Sequence, residues 1–539
     1  MPEVGTRRAH FCTVKHVKRW IWLSTSLIAA AIILAVLFVA AVPLSSDTLR
    51  RRMVNSLSKR LDADVELGDL SLRAFPILRV EGTNLAIRKR GRTDIPPLIS
   101  VKTFHADANL MSLLRKHVTH VQLDGLDIEI PPNDHDDNSD DDDQRGDKVK
   151  PAPGDRIEDG VVIDTLDANG AKLVIIPRKK DKAPKVWAIH ALRMHKVGAD
   201  QSMPYEATLT NAVPPGEIKT SGHFGPWMTK DEGRTPLDGK FIFDNADLSV
   251  FKGIAGTLSS KGTFKGSLAR IDINGDTETP NFTIRISGHP FGLKASYHSI
   301  VDGTNGDTRL ERIDASFLKS SLVAKGAVLD EPGHVKGRTV SLDIDMEKAR
   351  IEDVMWMAVK TDKPPMTGAL KLVTKFLLPP GDTDVSERLR LDGRFTMTGA
   401  SFTNPAVQTK IMELSHRGRG QSPEAVKDNV TSDFVGRFKL ADGVLALPEV
   451  TFNVPGAKVQ LAGNYALKPE TIDFKGMLLL DAKVSETTTG VKSLLLKVID
   501  PMFKREGGGS AIPIKIEGNR NEPKFGLDVR RVFNKGDKS

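Results

Sequence analysis

Trp20 to Val42 is a run of twenty-three residues without a charge, apolar but for Ser24-Thr25-Ser26, and nothing comparable follows it in the 539-residue chain. At a rise of about 1.5 Å per residue, roughly 20 helical residues cross a bilayer core of about 30 Å. The run therefore reads as a single transmembrane helix, with nearly five hundred residues on one side of the membrane. Basic residues flank it on both sides. Arg7, Arg8, Lys15, Lys18 and Arg19 precede it, and Arg50, Arg51, Arg52, Lys59 and Arg60 follow. Only the first group abuts the helix, which favours a cytoplasmic N-terminus and an exported body. Val39-Ala40-Ala41 offers the small residues a signal peptidase accepts, so a cleaved signal peptide is the rival reading. The apolar run exceeds the 7–15 residues typical of such a segment.

Composition narrows the exported body. Seventy-seven Lys and Arg against 69 Asp and Glu give +8, of which residues 1–19 carry five cations and one acid, Glu3. The body is thus close to neutral for its size, and aromatics are only 6%. Neither an electrostatic footprint nor a base-stacking platform for nucleic acid is expected. The single cysteine, Cys12, precedes the apolar run, so the body forms no disulfide and no cysteine zinc site.

Beyond the membrane segment, Ser46-Asp47 is placed to cap a helix with a stripe at Leu49, Met53, Leu57 and Leu61. That basic helix either touches anionic head groups or plugs the end of the following β structure. From Val65 the hydrophobic period becomes two. Leu126-Asp127-Ile128-Glu129-Ile130, Phe282-Thr283-Ile284-Arg285-Ile286 and Val340-Ser341-Leu342-Asp343-Ile344 all alternate. So do Leu389-Arg390-Leu391 and Ile512-Pro513-Ile514-Lys515-Ile516. Strands with one apolar and one wet face follow, and so does an antiparallel all-β body. An apolar–x–Gly motif recurs at Val80-Glu81-Gly82, Phe264-Lys265-Gly266, Ile286-Ser287-Gly288, Leu391-Asp392-Gly393, Leu461-Ala462-Gly463 and Phe474-Lys475-Gly476. Its glycines are expected at strand ends, where they permit turns and bulges. Helical patches are expected at Leu110–Leu114, around Val407, Ile411 and Leu414, and over Val491–Phe503. Asp134 to Asp143 is a block of like charge that buries no core and reads as a disordered loop.

Local chemistry is sparse. His117 and His120 sit on an alternating stretch at odd separation, on opposite strand faces, and His190 and His195 have no acidic neighbour in sequence. Gly233 to Phe241 misses the phosphate-loop spacing by one residue and has Phe where Ser or Thr binds Mg²⁺. No Gly-x-Ser-x-Gly elbow and no zinc-protease helix motif occurs. No enzyme, metal or cofactor is expected. An alternating body must bury its apolar faces, either sheet on sheet as a sandwich or as a partly curled sheet with an apolar trough.

Later segments bear on that choice. Leu61-Asp62-Ala63-Asp64-Val65 through Ala74-Phe75-Pro76 and Leu78-Arg79-Val80-Glu81-Gly82, then Asn109–Leu114 and Leu123-Asp124-Gly125, resemble the N-terminal module of the AsmA-like family of Gram-negative envelope proteins. A C-terminal set stands in the family's order. It comprises Leu391–Phe395, Leu414-Ser415, Phe452–Ala457, Leu461–Tyr465, Gly490–Leu495, Asp500–Phe503, Ile512-Pro513-Ile514, Gly518 and Pro523. The resemblance covers about residues 43–132 and 365–530.

What it implies is a mainly β protein of the bacterial inner membrane. A single N-terminal transmembrane helix is followed by an elongated, curled antiparallel sheet with an open groove and a few short helices. The implied organisation is a cytoplasmic 1–19, a membrane helix 20–42, an N-terminal module 43–132, an acidic loop 133–158, a central β region 159–360 and a C-terminal region 361–539. The body lies in the periplasm, and its partners are phospholipids, the inner membrane, and an outer-membrane or periplasmic protein at the C-terminal end. Phospholipid movement toward the outer membrane is the implied role. A scaffold or assembly factor that carries no lipid is the alternative. Alternating residues supply the candidate groove floor: Ile284, Ile286, Val340, Leu342, Ile344, Leu389, Leu391, Val459 and Leu461. Stacking 25–30 strands at about 4.8 Å would reach roughly 120–145 Å.

Overall fold

The computed structural model describes residues 44–528 apart from 46, 62, 74–76, 92–95, 110, 113–114, 131–161, 176–184, 199–200, 229–230, 331–336, 422–429, 488–502, 506–507 and 520–521. The apolar run Trp20–Val42, the acidic loop, most of the Leu110–Leu114 patch and nearly all of Val491–Phe503 lie outside the described residues. Among the described residues, no helix is long and apolar enough to cross a membrane. The chain is mainly β, in agreement with the period-two pattern, and its sheet is not closed. It divides into two compact units.

The N-terminal unit takes in the described residues up to Glu129 and those of 147–173 and 189–205. It opens with β1 (Leu44–Ser45), α1 (Asp47–Leu61), β2 (Ala63–Glu66), β3 (Leu70–Arg73), β4 (Leu78–Lys89), β5 (Ile99–Ala108) and β6 (His117–Ile130). Strands β1 and β3, β3 and β4, β2 and β4, β4 and β5, and β5 and β6 pair antiparallel. The capping acid expected at the helix start is present as Asp47 in the first turn. Met53 and Leu57 of the stripe are half-buried, while Arg51, Arg52 and Lys59 are exposed. Val101, Phe104 and Ala108 of β5 and Val121 and Leu126 of β6 are buried, although Val101 and Phe104, and likewise Val121 and Leu126, stand at odd separations, so apolar side chains are covered on both faces of these strands. Three strands follow: β7 (Val162–Ile175), β8 (Lys185–Val197) and β9 (Met203–Asn211).

The C-terminal unit takes in Ile130, the described residues of 174–188, which close β7 and open β8, and those from Glu206 onward. Its first strands are β10 (Gly216–Phe224), β11 (Pro236–Asp247), the two-residue β12 (Ile254–Ala255), β13 (Thr257–Ser267), β14 (Arg270–Ile284), β15 (Pro290–Val301), β16 (Thr308–Phe317), β17 (Ser320–Leu329) and β18 (Thr339–Arg350). There follow α2 (Ile351–Ala358), β19 (Met366–Leu378), α3 (Val385–Arg388), β20 (Arg390–Phe402) and α4 (Pro405–Gly418). The last strands are β21 (Ser432–Ala441), β22 (Val444–Val454), β23 (Ala457–Ala466), β24 (Thr471–Leu480), β25 (Ser510–Asn519) and β26 (Glu522–Leu527). From β13 onward each strand pairs antiparallel with the next in sequence, joined by short connections or by the helices.

Helix α4 matches the expected patch around Val407, Ile411 and Leu414. Asn404 starts it, its Oδ1 accepting from Ala406 N at 2.9 Å, with proline in the first turn. Helix α2 was not foreseen, because eight residues are too few for a periodic stripe. Buried Asp353 docks it, accepting from Ser320 Oγ at 2.7 Å and Lys319 N at 2.9 Å. His289 stacks on Trp356 of the same helix, ring centroids 3.9 Å apart.

The glycine motif has a different cause from the one expected. Gly266 and Gly288 do turn the chain, with φ of 136° and 74°. Gly82, Gly393, Gly463 and Gly476, however, sit inside strands. Three of them face a phenylalanine directly across the ladder, Gly82↔Phe104, Gly393↔Phe438 and Gly463↔Phe474, as do Gly436↔Phe395 and Gly239↔Phe264 outside the motif. A Cβ on Gly393 would lie 2.8 Å from the Phe438 ring, and one on Gly436 2.9 Å from Phe395. The glycine is bare so that a ring can lie flat over its backbone.

Candidate functional site

The register of the C-terminal unit arranges its side chains into cross-strand rows. One row begins at Gly222 on β10 and passes Gly239, Phe264, Ile273 and Ser299 to Leu310. It continues through Gly326, Leu342, Phe376, Leu391 and Leu440. It ends with Leu445, Tyr465, Ile472, Gly518 and Pro523 on β26. No charged residue interrupts it across sixteen strands. Because side chains alternate along each strand, residues two positions away share the face. The next row runs Phe241, Gly262, Gly275, Tyr297, Ile313 and Ala324 to Ile344, and is equally free of charge. Burial pushes the Tyr297 hydroxyl up from its ordinary pKa, opposed by its 3.3 Å hydrogen bond with Ser260 Oγ. It remains neutral at physiological pH, in keeping with its row.

The opposite face is ionic. Lys325, Asp343, Lys375, Asp392 and Lys439 are successive cross-strand neighbours of alternating sign. Lys375 reaches Asp343 at 3.2 Å and Lys439 reaches Asp392 at 3.0 Å. In these rows the charges keep to one side, which also carries exposed Ile242 and Val323, and the other side is free of them.

Helices cover part of the apolar face. Helix α2 contributes Val354, Met355 and Trp356 to a core containing Phe291, Phe317, Met346, Leu370 and Met397. Helix α4 lays Ile411, Met412 and Leu414 against Phe452, Val454, Val459 and Leu480. Leu342, Phe376 and Leu391 belong to neither core and are half-buried, while Ser299 and Leu440 of the same row are buried.

Of the nine expected floor residues, Leu342 and Leu391 occupy that row with Phe376 between them. Val340, opposite Leu378, and Ile344, opposite Thr374, flank it on β18. Val459 and Leu461 share the face but sit at the α4 core, where Val459 is 6% exposed. Ile284 ends β14 opposite Ile254. Ile286 lies beyond that strand and is 39% exposed, because the Ser287-Gly288 turn closes on the Ile284 carbonyl. Leu389 also lies outside the strands, its N–H donating to Val385 O at 2.8 Å to close α3. The aromatic members, Phe376, Phe395, Phe434 and Phe438, went unnoticed. Phe434-x-Gly436-x-Phe438-x-Leu440 was the legible signal for them.

A second polar arrangement, in the N-terminal unit, joins residues far apart in sequence. Arg79 on β4 holds Asp107 on β5 with two bonds of 2.6 and 2.9 Å, and Asp107 lies opposite His120 on β6. His120 reaches Asp167 on β7 at 3.0 Å, and Arg193 on β8 reaches the same carboxylate at 2.7 Å. His117 pairs with Asp164 at 2.8 Å. The Arg79 hydrogen bond holds Asp107 below its ordinary pKa, and the Arg193 bond does the same for Asp167. The histidine–aspartate partners are 47 residues apart in sequence and the arginine–aspartate partners 28 and 26, so inspection of neighbours could not find them. Among the described residues, no three His, Cys, Asp or Glu side chains converge as a metal site would require. Comparisons of the chain with family models, with curated proteins and with solved structures return no match.

Proposed function

We propose that this chain is an AsmA-like, membrane-anchored periplasmic protein that guides phospholipid between the inner and outer membranes without enzymatic chemistry. The observation that carries the reading is the charge-free row from Gly222 to Pro523, half-buried at Leu342, Phe376 and Leu391. Each CH₂ taken from water gains about 0.8 kcal/mol, so a lipid crossing water alone faces a high barrier. A continuous apolar floor lets acyl chains slide from row to row while head groups stay solvated. No energy source enters that step. Trp20–Val42 serves as the inner-membrane anchor, and a protein at the C-terminal end completes the route.

Photo-crosslinkers at Leu342 and Leu391 test this in living cells. Lipid adducts are the expected result, and Phe376→Glu should abolish them while expression persists. Protein adducts alone, with lipid-free protein in native mass spectrometry, would overturn the conduit and leave the scaffold reading.

A further inference from the structure

A polar cavity of about 590 Å³ opens in the N-terminal unit between the first turn of α1 and strands β3, β4 and β5. Its charges are of both signs: Asp47, Asp69 and Glu81 against Arg50, with His105 and Ser71 beside them. Among the described residues Arg50's contacts there are long, 3.5 Å to Asp47 Oδ1, 3.4 Å to Leu67 O and 3.5 Å to Gly68 O. A guanidinium bound to a matched oxyanion sits at about 2.7–2.9 Å, so these donors are under-used. The Nδ1 of His105 is covered and 3.9 Å from Glu81 Oε1, but the side chain is 42% exposed, so its other ring nitrogen is the one left to meet a ligand.

The groups present define what would fill this space. Arg50 and His105 supply donors for one oxyanion. Three carboxylates outnumber them, which disfavours a purely anionic ligand and calls for a cationic end as well. No phenylalanine, tyrosine or tryptophan lines the cavity, so nothing there cages a quaternary ammonium. Carboxylates instead suit an ammonium with N–H bonds to give. The volume falls within the range of small-ligand sites.

Its position is equally informative. Ser45 of β1 pairs with Ser71, which lines the cavity. Ser45 is three residues past Val42, the end of the apolar run, and three residues span at most about 10 Å. A run that crosses the bilayer therefore leaves the cavity wall at the head-group layer.

We propose that this cavity binds the head group of an ethanolamine phospholipid, the ammonium at Glu81 and Asp69 and the phosphate at Arg50 and His105. It thereby selects the lipid offered to the sheet. The proposal rests on the lipid-transfer reading and adds a head-group preference to it.

Full-length protein in detergent, equilibrated with equal parts of phosphatidylethanolamine, phosphatidylcholine and phosphatidylglycerol, tests it by native mass spectrometry of retained lipid. The wild type should enrich the ethanolamine lipid several-fold over the others. Glu81→Gln, Asp69→Asn and Arg50→Met should each bring the ratio within twofold of the supplied mixture. Leu391→Glu, on the open row, should lower total lipid and leave the ratio unchanged. Retention without preference, or a preference that survives all three cavity variants, would overturn the head-group site and leave transfer standing. If the wild type retains no lipid, the transfer reading fails. Titration with soluble O-phosphoethanolamine, followed by the His105 imidazole resonance, then decides the cavity. Binding lost in Glu81→Gln keeps it as a phosphoethanolamine site, and an unmoved resonance removes it.

Discussion

The two units use the same period-two alternation and reach opposite outcomes on their apolar faces. In the N-terminal unit both faces of β5 and β6 are covered, with the pair Val101 and Leu126 buried on one and Phe104 on the other. In the C-terminal unit Leu342, Phe376 and Leu391 stay half-buried, while neighbouring rows under α2 and α4 form ordinary cores. Alternation specifies which face is apolar. What is laid on that face decides whether it becomes a core or a surface able to take a ligand.

Truncating one ring in each unit gives the largest expected effect. Phe104 is 5% exposed, so Phe104→Ala should cost about 3–5 kcal/mol, read as lost amide protection in β4 to β6. Phe376→Ala should cost about 1 kcal/mol, since a half-buried side chain gives up only part of its burial energy. Equal costs at the two positions would mean that the open row is a closed core, and the comparison would collapse.

A glycine substitution tests how the C-terminal face is kept smooth. Gly393→Val places methyls against the Phe438 ring and should destabilise the unit by about 1–3 kcal/mol. Combined with Phe438→Ala, the loss should fall short of the sum, because the ring that clashes has gone. Additive costs would show that the backbone carbonyl of Val373, also close to the new Cβ, is the sole obstacle.

Much of this architecture was legible. Leu342, Ile344, Leu391 and Leu461 were assigned to one strand face from alternation, and they share it. Pairing register was not legible, because it depends on which hairpin closes on which residue. Hence the order of the rows, the Gly–Phe partnerships and the His120–Asp167 contact appear only in three dimensions. Ile286 and Leu389 failed for a local reason. Each lies one turn beyond a strand end, where Ser287-Gly288 and the closing bond of α3 overrule an alternation that continues in the letters. The cavity at α1 was invisible for a similar cause, since Arg50, Glu81 and His105 come from three elements.

The charged faces differ as well, and pH should separate them. Asp107 and Asp167 are held below the ordinary aspartate pKa of about 3.9 by Arg79 and Arg193. A depressed carboxylate contributes stability that is present above its unfolded pKa and lost as pH falls through the folded one. Protection of β5 to β7 should therefore hold above about pH 4 and decline below it. Arg79→Met should be less stable than wild type above pH 4, and the difference should vanish in stronger acid. A difference that persists at every pH would assign Arg79 a packing role in place of an electrostatic one.

The smallest effect belongs to the ionic face of the C-terminal unit. Lys375 is 81% exposed in its side chain and reaches Asp343 at 3.2 Å through a single bond. Such pairs exchange hydration for a screened attraction and fix two mobile side chains, which leaves under about 1 kcal/mol. Lys375→Met should thus shift the unfolding midpoint little, and 0.5 M salt, at a screening length of roughly 4 Å, should erase what remains. The contrast with Arg79 is geometric: that guanidinium makes two bonds to a carboxylate that is itself largely covered, 22% exposed. A Lys375→Met variant as damaged as Arg79→Met would mean that the alternating row Lys325–Lys439 acts as a connected network, each of its three inner charges bracketed by two of opposite sign, and that the wet face stiffens the sheet beneath its open apolar row.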